Sequence, residues 1–96
     1  MILHLGGDFS INVKDVIAIL DIKSTLKSKD SKTFFKICKE EGFIRRISEE
    51  EPRSLVFVER KERKNNKKNK TIVYESPISA LTLQKRAKLN NSPPFS

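Results

Sequence analysis

The stretch SLVFVERKERKNNKKNKTIVYE, residues 54–75, contains the two strong strand candidates on which the predicted fold depends. Its two ends, SLVFVE (54–59) and TIVYE (71–75), are short and rich in β-branched and aromatic residues, which is typical of strands. Apart from Glu62, the segment between them contains only lysine, arginine and asparagine. Such a segment favours a solvated turn, because asparagine suits turns and no apolar side chain is present to be buried. The sequence therefore predicts a hairpin with a long basic tip over residues 60–70.

This tip also contains most of the net charge. Residues 1–59 contain ten Lys/Arg and ten Asp/Glu and sum to zero, whereas residues 60–96 contain ten and two and account for the whole +8. Seven of those ten cations fall within residues 60–70. A block of like charge repels itself unless an anion neutralises it, so nucleic acid is the first expected partner and an acidic membrane surface the second. A merely solvated loop is the alternative interpretation.

Three strands are predicted near the N-terminus. The apolar residues 2–5 and the weakly alternating residues 8–13 flank Gly6-Gly7, which suits the two central positions of a tight hairpin turn. The run VIAIL, residues 16–20, is five apolar residues bounded by charges, and it predicts a strand buried on both faces.

A helix and a short strand follow. The polar residues 22–32 have no clear period and are interpreted as a loop. The spacing of Phe34, Ile37 and Cys38 predicts a helix with one apolar stripe that ends at Gly42, a preferred residue just past a helix. Residues 43–47 then resemble a short strand.

A second helix is predicted after the basic hairpin. Ser76-Pro77 has the order of an N-cap followed by proline at the first helical position. The predicted order is β-β-β-α-β-β-β-α, a small α+β domain with a mostly antiparallel sheet and two helices. It spans residues 1–89 as a single domain, and residues 90–96 form a disordered tail.

No catalytic, metal or cofactor site can be assembled from the sequence. His4 is the only histidine and Cys38 the only cysteine, which excludes the usual nucleophile and zinc arrangements. We therefore expect a protein that is not an enzyme, with no cofactor and no small-molecule substrate. The single cysteine favours the cytoplasm, and no apolar run longer than residues 16–20 is present to span a bilayer. The basic run lacks interleaved apolar residues that could insert into a membrane surface, so no membrane partner is expected.

Several segments together resemble one known family, over roughly residues 2–88. They are HLGGD (4–8), KDVIAILD (14–21), EEGFI (40–44), PRSLVFVE (52–59) and YESPISALTLQKRA (74–87). In this order they are similar to the small extracellular-matrix regulatory proteins RemA and RemB of Gram-positive bacteria, and more closely to RemB. The combination of HLGGD with SPIS and KRA is the most specific part of the likeness.

The resemblance implies a DNA-binding transcriptional regulator that acts as a homo-oligomer. RemA activates matrix and biofilm operons, forms rings and contacts DNA through scattered arginines. Carried to this sequence, those positions are Lys14 and Arg53, while Glu49, Glu50 and Glu51 stand where RemA has an arginine cluster. That departure puts DNA binding at the Arg53 edge in doubt. Relatives join the two strands around the basic run by a short turn, so the run is a local extension.

We therefore expect a transcriptional regulator that binds double-stranded DNA and neutralises its phosphates with lysine and arginine. An RNA-binding or nucleoid-type protein and a protein-interaction adaptor are the alternatives. RNA binding would need exposed aromatic side chains, for which Phe57 and Tyr74 are candidates unless they pack in the core. The candidate nucleic-acid-binding residues are Lys14, Arg45, Arg46, Arg53, Arg60, Lys61, Arg63, Lys64, Lys67, Lys68, Lys70, Lys85 and Arg86.

Overall fold

The computed structural model describes residues 1–61 and 69–88. The middle of the basic tip and the tail at 90–96 lie outside these residues. The chain order of the helices and strands is β1 (Ile2–Gly6), β2 (Phe9–Asn12), a 3-10 turn (Val13–Asp15), β3 (Val16–Asp21), α1 (Ile22–Lys27), α2 (Lys29–Glu40), β4 (Ile44–Arg46), β5 (Ser54–Lys61), β6 (Asn69–Ser76) and α3 (Ala80–Arg86).

The strands form two sheets. β1 and β2 make an antiparallel hairpin, and the other four make a sheet of order β3-β5-β6-β4. β4 is parallel to β6, and the remaining pairs are antiparallel. The predicted α+β class and its mostly antiparallel sheet are confirmed. The described residues contain three α-helices rather than the two expected.

The predicted hairpin is present as β5–β6, and it forms the centre of the larger sheet. Its register runs without a break from Ser54 opposite Ser76 to Lys61 opposite Asn69. Both strands thus continue past the apolar segments into the basic run. A strand needs only backbone pairing to continue, so cations can extend it when their side chains remain in solvent.

Alternation along these two strands divides their side chains between two cores. One face carries Val56, Val58, Ile72 and Tyr74, which pack against the β1–β2 hairpin and α3. The opposite face carries Leu55, Phe57 and Val73, which pack against α2 and the start of β4. The chain therefore has three layers, with the sheet in the middle.

The prediction for the first turn was wrong by one residue. The turn residues are Gly7 and Asp8, while Gly6 is the last residue of β1 and lies opposite Phe9. Gly6 has a φ of +125°, and a Cβ atom there would lie 2.9 Å from Cγ of Pro77. The glycine is needed for this close approach as well as for its backbone conformation.

The loop predicted over residues 22–32 is instead α1 and the start of α2. The Asp21 carboxylate accepts a hydrogen bond from the backbone N–H of Ser24 at 2.9 Å, which caps α1. Ser28 caps α2. Two caps seven residues apart stabilise short helical segments that show no apolar period. The predicted end of α2 is confirmed, since Gly42 follows the helix with a φ of +76°.

β3 is an edge strand, so the expectation that residues 16–20 are buried on both faces was wrong. Ile19 is fully buried, but the side chain of Ile17 is 46% exposed. A run of apolar residues does not show whether its strand lies at the centre or the edge of a sheet, because that depends on pairing with distant strands.

The predicted helix start at Ser76-Pro77 was also wrong. Ser76 ends β6, and Ser79 caps α3. The buried Ser76 hydroxyl donates to the Leu5 carbonyl at 2.6 Å and accepts from the Ile78 N–H at 3.1 Å. This hydroxyl joins the N-terminal hairpin to the segment that leads into α3.

Candidate functional site

A basic cleft begins where the apolar residues of the β5–β6 hairpin end. Alternation places Arg60 on the same face as Val58, and Lys70 on the same face as Ile72. The two cations are direct cross-strand partners, and both side chains are exposed. The core face of the hairpin therefore continues toward its tip as a positively charged face.

β4 contributes two more cations from the sheet edge. Arg45 pairs in register with Tyr74 of β6, and Arg46 follows it. The Arg45 guanidinium donates to the Gly42 carbonyl. That of Arg46 donates to the carbonyls of Ser48 at 3.1 Å and Glu49 at 3.3 Å. Backbone carbonyls hold both side chains in place without neutralising their charge.

These four cations surround one open cleft of about 670 Å3. Its remaining lining is apolar and comprises Phe9, Ile47, Ile72 and Tyr74. The rings of Phe9 and Tyr74 pack with centroids 4.6 Å apart and form part of the wall. No carboxylate is among the described residues that line the cleft. A concave surface lined by one sign of charge concentrates anions from solution, so this cleft is suited to phosphate groups.

Four predicted residues in the described part of the chain lie away from the lining of the cleft. Lys14 belongs to the 3-10 turn, which packs against β5. Arg53 precedes β5 and is seven residues from Arg60, about 23 Å along the strand, so it belongs to the opposite end of the sheet. Lys85 and Arg86 are exposed in the last turn of α3, where positive charge also favours the helix dipole.

The other predicted cations belong to the basic tip. The backbone of Lys61 ends β5 and pairs with Asn69. Four cations lie outside the described residues, namely Arg63, Lys64, Lys67 and Lys68.

Three apolar residues of the cleft, Phe9, Ile47 and Ile72, were not predicted as site residues from the sequence. Phe9 and Ile47 come from the first hairpin and from the segment after β4, and they meet β6 only through the tertiary fold. Alternation identifies Phe9 as an apolar strand residue but does not indicate its neighbours.

Phe57 and Tyr74 both pack in the core and are not exposed. Phe57 is 9% exposed and Tyr74 only 4%. They also point to opposite faces of the sheet. They therefore do not form a common platform on which bases can stack.

The two side chains considered for catalysis, His4 and Cys38, lie in surroundings that suit structural roles. His4 Nε2 lies 2.6 Å from the Gly7 carbonyl within the first hairpin. Cys38 is buried, and this burial raises the pKa of its thiol. Within residues 1–61 and 69–88, no three His, Cys, Asp or Glu side chains cluster as metal ligands would. No helix in this part of the chain is long and apolar enough to cross a membrane.

A comparison with protein-family models finds no match, and comparisons with curated proteins and with solved structures find none either. The resemblance to RemA and RemB thus stays a prediction.

Proposed function

We propose that this protein is a cytoplasmic, oligomeric DNA-binding regulator of the RemA/RemB type and that the basic cleft binds DNA phosphates. The observation that supports the cleft is the convergence of Arg45, Arg46, Arg60 and Lys70 without a carboxylate among its described lining residues. Lysine and arginine that neutralise phosphates release condensed counterions, which drives association.

The aromatic residues of the cleft favour contacts with the phosphate backbone of a nucleic acid over contacts with its bases. Tyr74 is buried and packs on the half-buried Phe9, with the two rings tilted by 47°, so the ring face of Tyr74 is not presented to a base. Single-stranded RNA is usually bound by exposed rings. The burial of Tyr74 therefore favours duplex phosphates as the ligand.

The dimensions of the cleft suit a short length of one DNA strand. From Lys70 to Tyr74 it extends four residues along β6, about 13 Å, which corresponds to the axial rise of about four nucleotides. Four cations thus face about four phosphates. One such site is weak by itself, and several copies in an oligomer would bind the same duplex with greater avidity.

Fluorescence anisotropy with a labelled duplex at several salt concentrations tests the proposal. We expect a linear fall of log K with log salt, and replacing the four cleft cations with glutamine should reduce the slope by about 3.6, or about 0.9 for each phosphate contact. The matched control removes four exposed cations from the opposite layer, namely Lys23, Lys27, Lys29 and Lys32, and changes the net charge equally. It should retain most of the slope.

An equal reduction of the salt slope in the two quadruple variants would show that only net charge matters, and it would refute the cleft as the DNA-binding site. Competition with a single-stranded RNA of the same length provides a second test. A clear preference for RNA would instead support the RNA-binding alternative. Light scattering at the same salt concentrations measures the oligomer directly, and a monomer at all of them would contradict that part of the proposal.

A further inference from the structure

An irregular segment, residues 47–53, joins β4 to β5 beside the basic cleft. It begins within the sequence RRISEEE, residues 45–51, in which Ser48 stands between a pair of arginines and three glutamates. Both arginines line the cleft, whereas none of the three glutamates is among its described lining residues. The hydroxyl of Ser48 therefore lies where the charge of the chain changes sign.

The contacts of Ser48 place it beside Arg46. The Arg46 guanidinium donates to the Ser48 carbonyl at 3.1 Å. Both residues line a shallow depression that adjoins the cleft, since Arg46 and Ile47 belong to the lining of both. The side chain of Ser48 is half-buried, and its hydroxyl oxygen accepts a hydrogen bond from the Glu50 N–H at 3.1 Å. A group attached to this oxygen can thus extend into the depression and contact the guanidinium.

The charges after Ser48 specify the modification. Protein kinases select a serine by the charge of the residues beside it, and acidic-directed kinases select carboxylates directly after the serine. No other serine of this chain is followed by three acidic residues. Because residues 47–53 form no helix or strand, they can open at low cost into the extended form that a kinase binds. The three glutamates thus indicate that Ser48 accepts a phosphate.

We propose that Ser48 is phosphorylated by an acidic-directed serine kinase and that its phosphate binds Arg46 and takes this guanidinium away from DNA. This regulation rests on the proposed function of the cleft. In the transfer step, the Ser48 oxygen attacks the γ-phosphorus of a nucleoside triphosphate held by the kinase. The new bond joins this oxygen to phosphorus, the bond from phosphorus to the β–γ bridging oxygen breaks, and a nucleoside diphosphate leaves. The hydroxyl proton passes to a carboxylate base of the kinase.

The phosphate on Ser48 competes with DNA for Arg46. It carries about two negative charges near pH 7, and a guanidinium binds a phosphate through two parallel hydrogen bonds between opposite charges. Without the phosphate, Arg46 donates only to the neutral carbonyls of Ser48 and Glu49, so its charge remains available to a ligand. Phosphorylation therefore neutralises one of the four cations of the cleft and places a charge beside it that repels DNA.

Casein kinase II with magnesium and ATP tests the site, because this kinase is acidic-directed. Mass spectrometry should locate the phosphate on Ser48 of the full chain, and Glu51→Gln should slow its transfer. The free peptide of residues 43–53 is the reference substrate. Phosphorylation of the peptide but not of the full chain would show that the fold hides this serine, and it would refute the site.

Phosphorus NMR of Ser48→phosphoserine tests the contact with Arg46 in the absence of DNA. Arg46→Gln should raise the second pKa of the phosphate by about 0.7, the effect of a unit charge about 4 Å away in water. The three glutamates raise this pKa as well, but they are present in both proteins. Lys32→Gln removes an equal charge from α2, across the sheet, and should leave the pKa unchanged. An equal pKa with and without Arg46 would overturn the contact.

Anisotropy titrations with a labelled duplex test the effect on the cleft. Ser48→phosphoserine should reduce the salt slope by about 0.9 or more, since at least one phosphate contact is lost. Ser28→phosphoserine is the matched control, because it is exposed, accepts the Ser31 N–H and precedes α2 on the opposite face of the sheet. Equal reductions in the two phosphoproteins would overturn the regulation. A chain that binds no duplex before modification would refute the proposed function, whereas the NMR result would still decide the contact with Arg46.

Discussion

Replacing Lys70 with glutamate should stabilise the fold and weaken DNA binding at the same time. Arg60 and Lys70 lie directly opposite each other on one face of the β5–β6 hairpin. Like charges in this position destabilise a sheet, whereas opposite charges stabilise it. Lysine and glutamate are both poor strand formers, so the change mainly affects charge.

The expected gain follows from the cross-strand geometry. Facing Cβ atoms are about 5 Å apart, and the charged ends of two exposed side chains lie about 7 Å apart. Coulomb's law in water then gives a repulsion of about 0.6 kcal/mol. Reversing one sign changes this by about 1.2 kcal/mol before screening. The free energy of unfolding should therefore rise by about 1 kcal/mol at low salt, which corresponds to roughly 5 °C in melting temperature.

Urea unfolding at low salt measures the increase in the free energy of unfolding. In about 1 M salt this increase should nearly disappear if it is electrostatic, because the Debye length falls to about 3 Å. Arg53→Glu is the control, since it changes the net charge equally at the opposite end of β5 and should give little stabilisation. In anisotropy titrations, Lys70→Glu should weaken duplex binding and flatten its salt slope by about one unit or more.

Three results would refute this reasoning. One is an unchanged or lower stability of Lys70→Glu at low salt. Another is a gain that persists in high salt, which would indicate packing rather than charge. The last is an equal gain in Arg53→Glu, which would reflect overall charge and not the cross-strand pair.

Two further predictions concern the contacts that hold the fold together. Ser76→Ala leaves the Leu5 carbonyl and one N–H buried without their hydrogen-bond partner, so the free energy of unfolding should fall by about 2–4 kcal/mol in urea titrations; a loss below about 0.5 kcal/mol would contradict the role of this hydroxyl. The pKa of Asp21 is lowered from its usual value of 3.8, chiefly by the hydrogen bond from the Ser24 N–H, so its contribution is present above that value and is lost as the pH falls through the lowered pKa. Thermal melts should show Asp21→Ala to be less stable than the unsubstituted chain near neutral pH, with a difference that shrinks below about pH 4; a difference that grows in acid would exclude this cap.

The strongest predictions from the sequence were those that depend on local pattern. The two central strands, the end of α2 at Gly42 and the α+β class follow from alternation, helical spacing and glycine chemistry. All four cations of the cleft were among the candidate residues, Arg60 and Lys70 as members of the basic run and Arg45-Arg46 as an adjacent pair of cations. Helix α1 and the first residues of α2 were missed because their caps are single polar residues in a segment without an apolar period.

The start of α3 shows how a local signal is overridden. Ser76-Pro77 has the composition of a helix start, but the serine hydroxyl instead binds the Leu5 carbonyl, 71 residues away in the sequence. A buried polar group must find a partner, and the first hairpin offers one. The helix then begins after the next serine, Ser79, which caps it.

The sequence by itself determined that a strongly basic segment joins two strands, because the strand pattern and the run of charge are both local features. Only the tertiary structure decided that Arg45 and Arg46 join Arg60 and Lys70, with Phe9 in the wall. That meeting depends on parallel pairing of β4 with β6 and on docking of the first hairpin. Both are contacts between distant segments, and they are set by burial in the assembled fold and not by any local pattern.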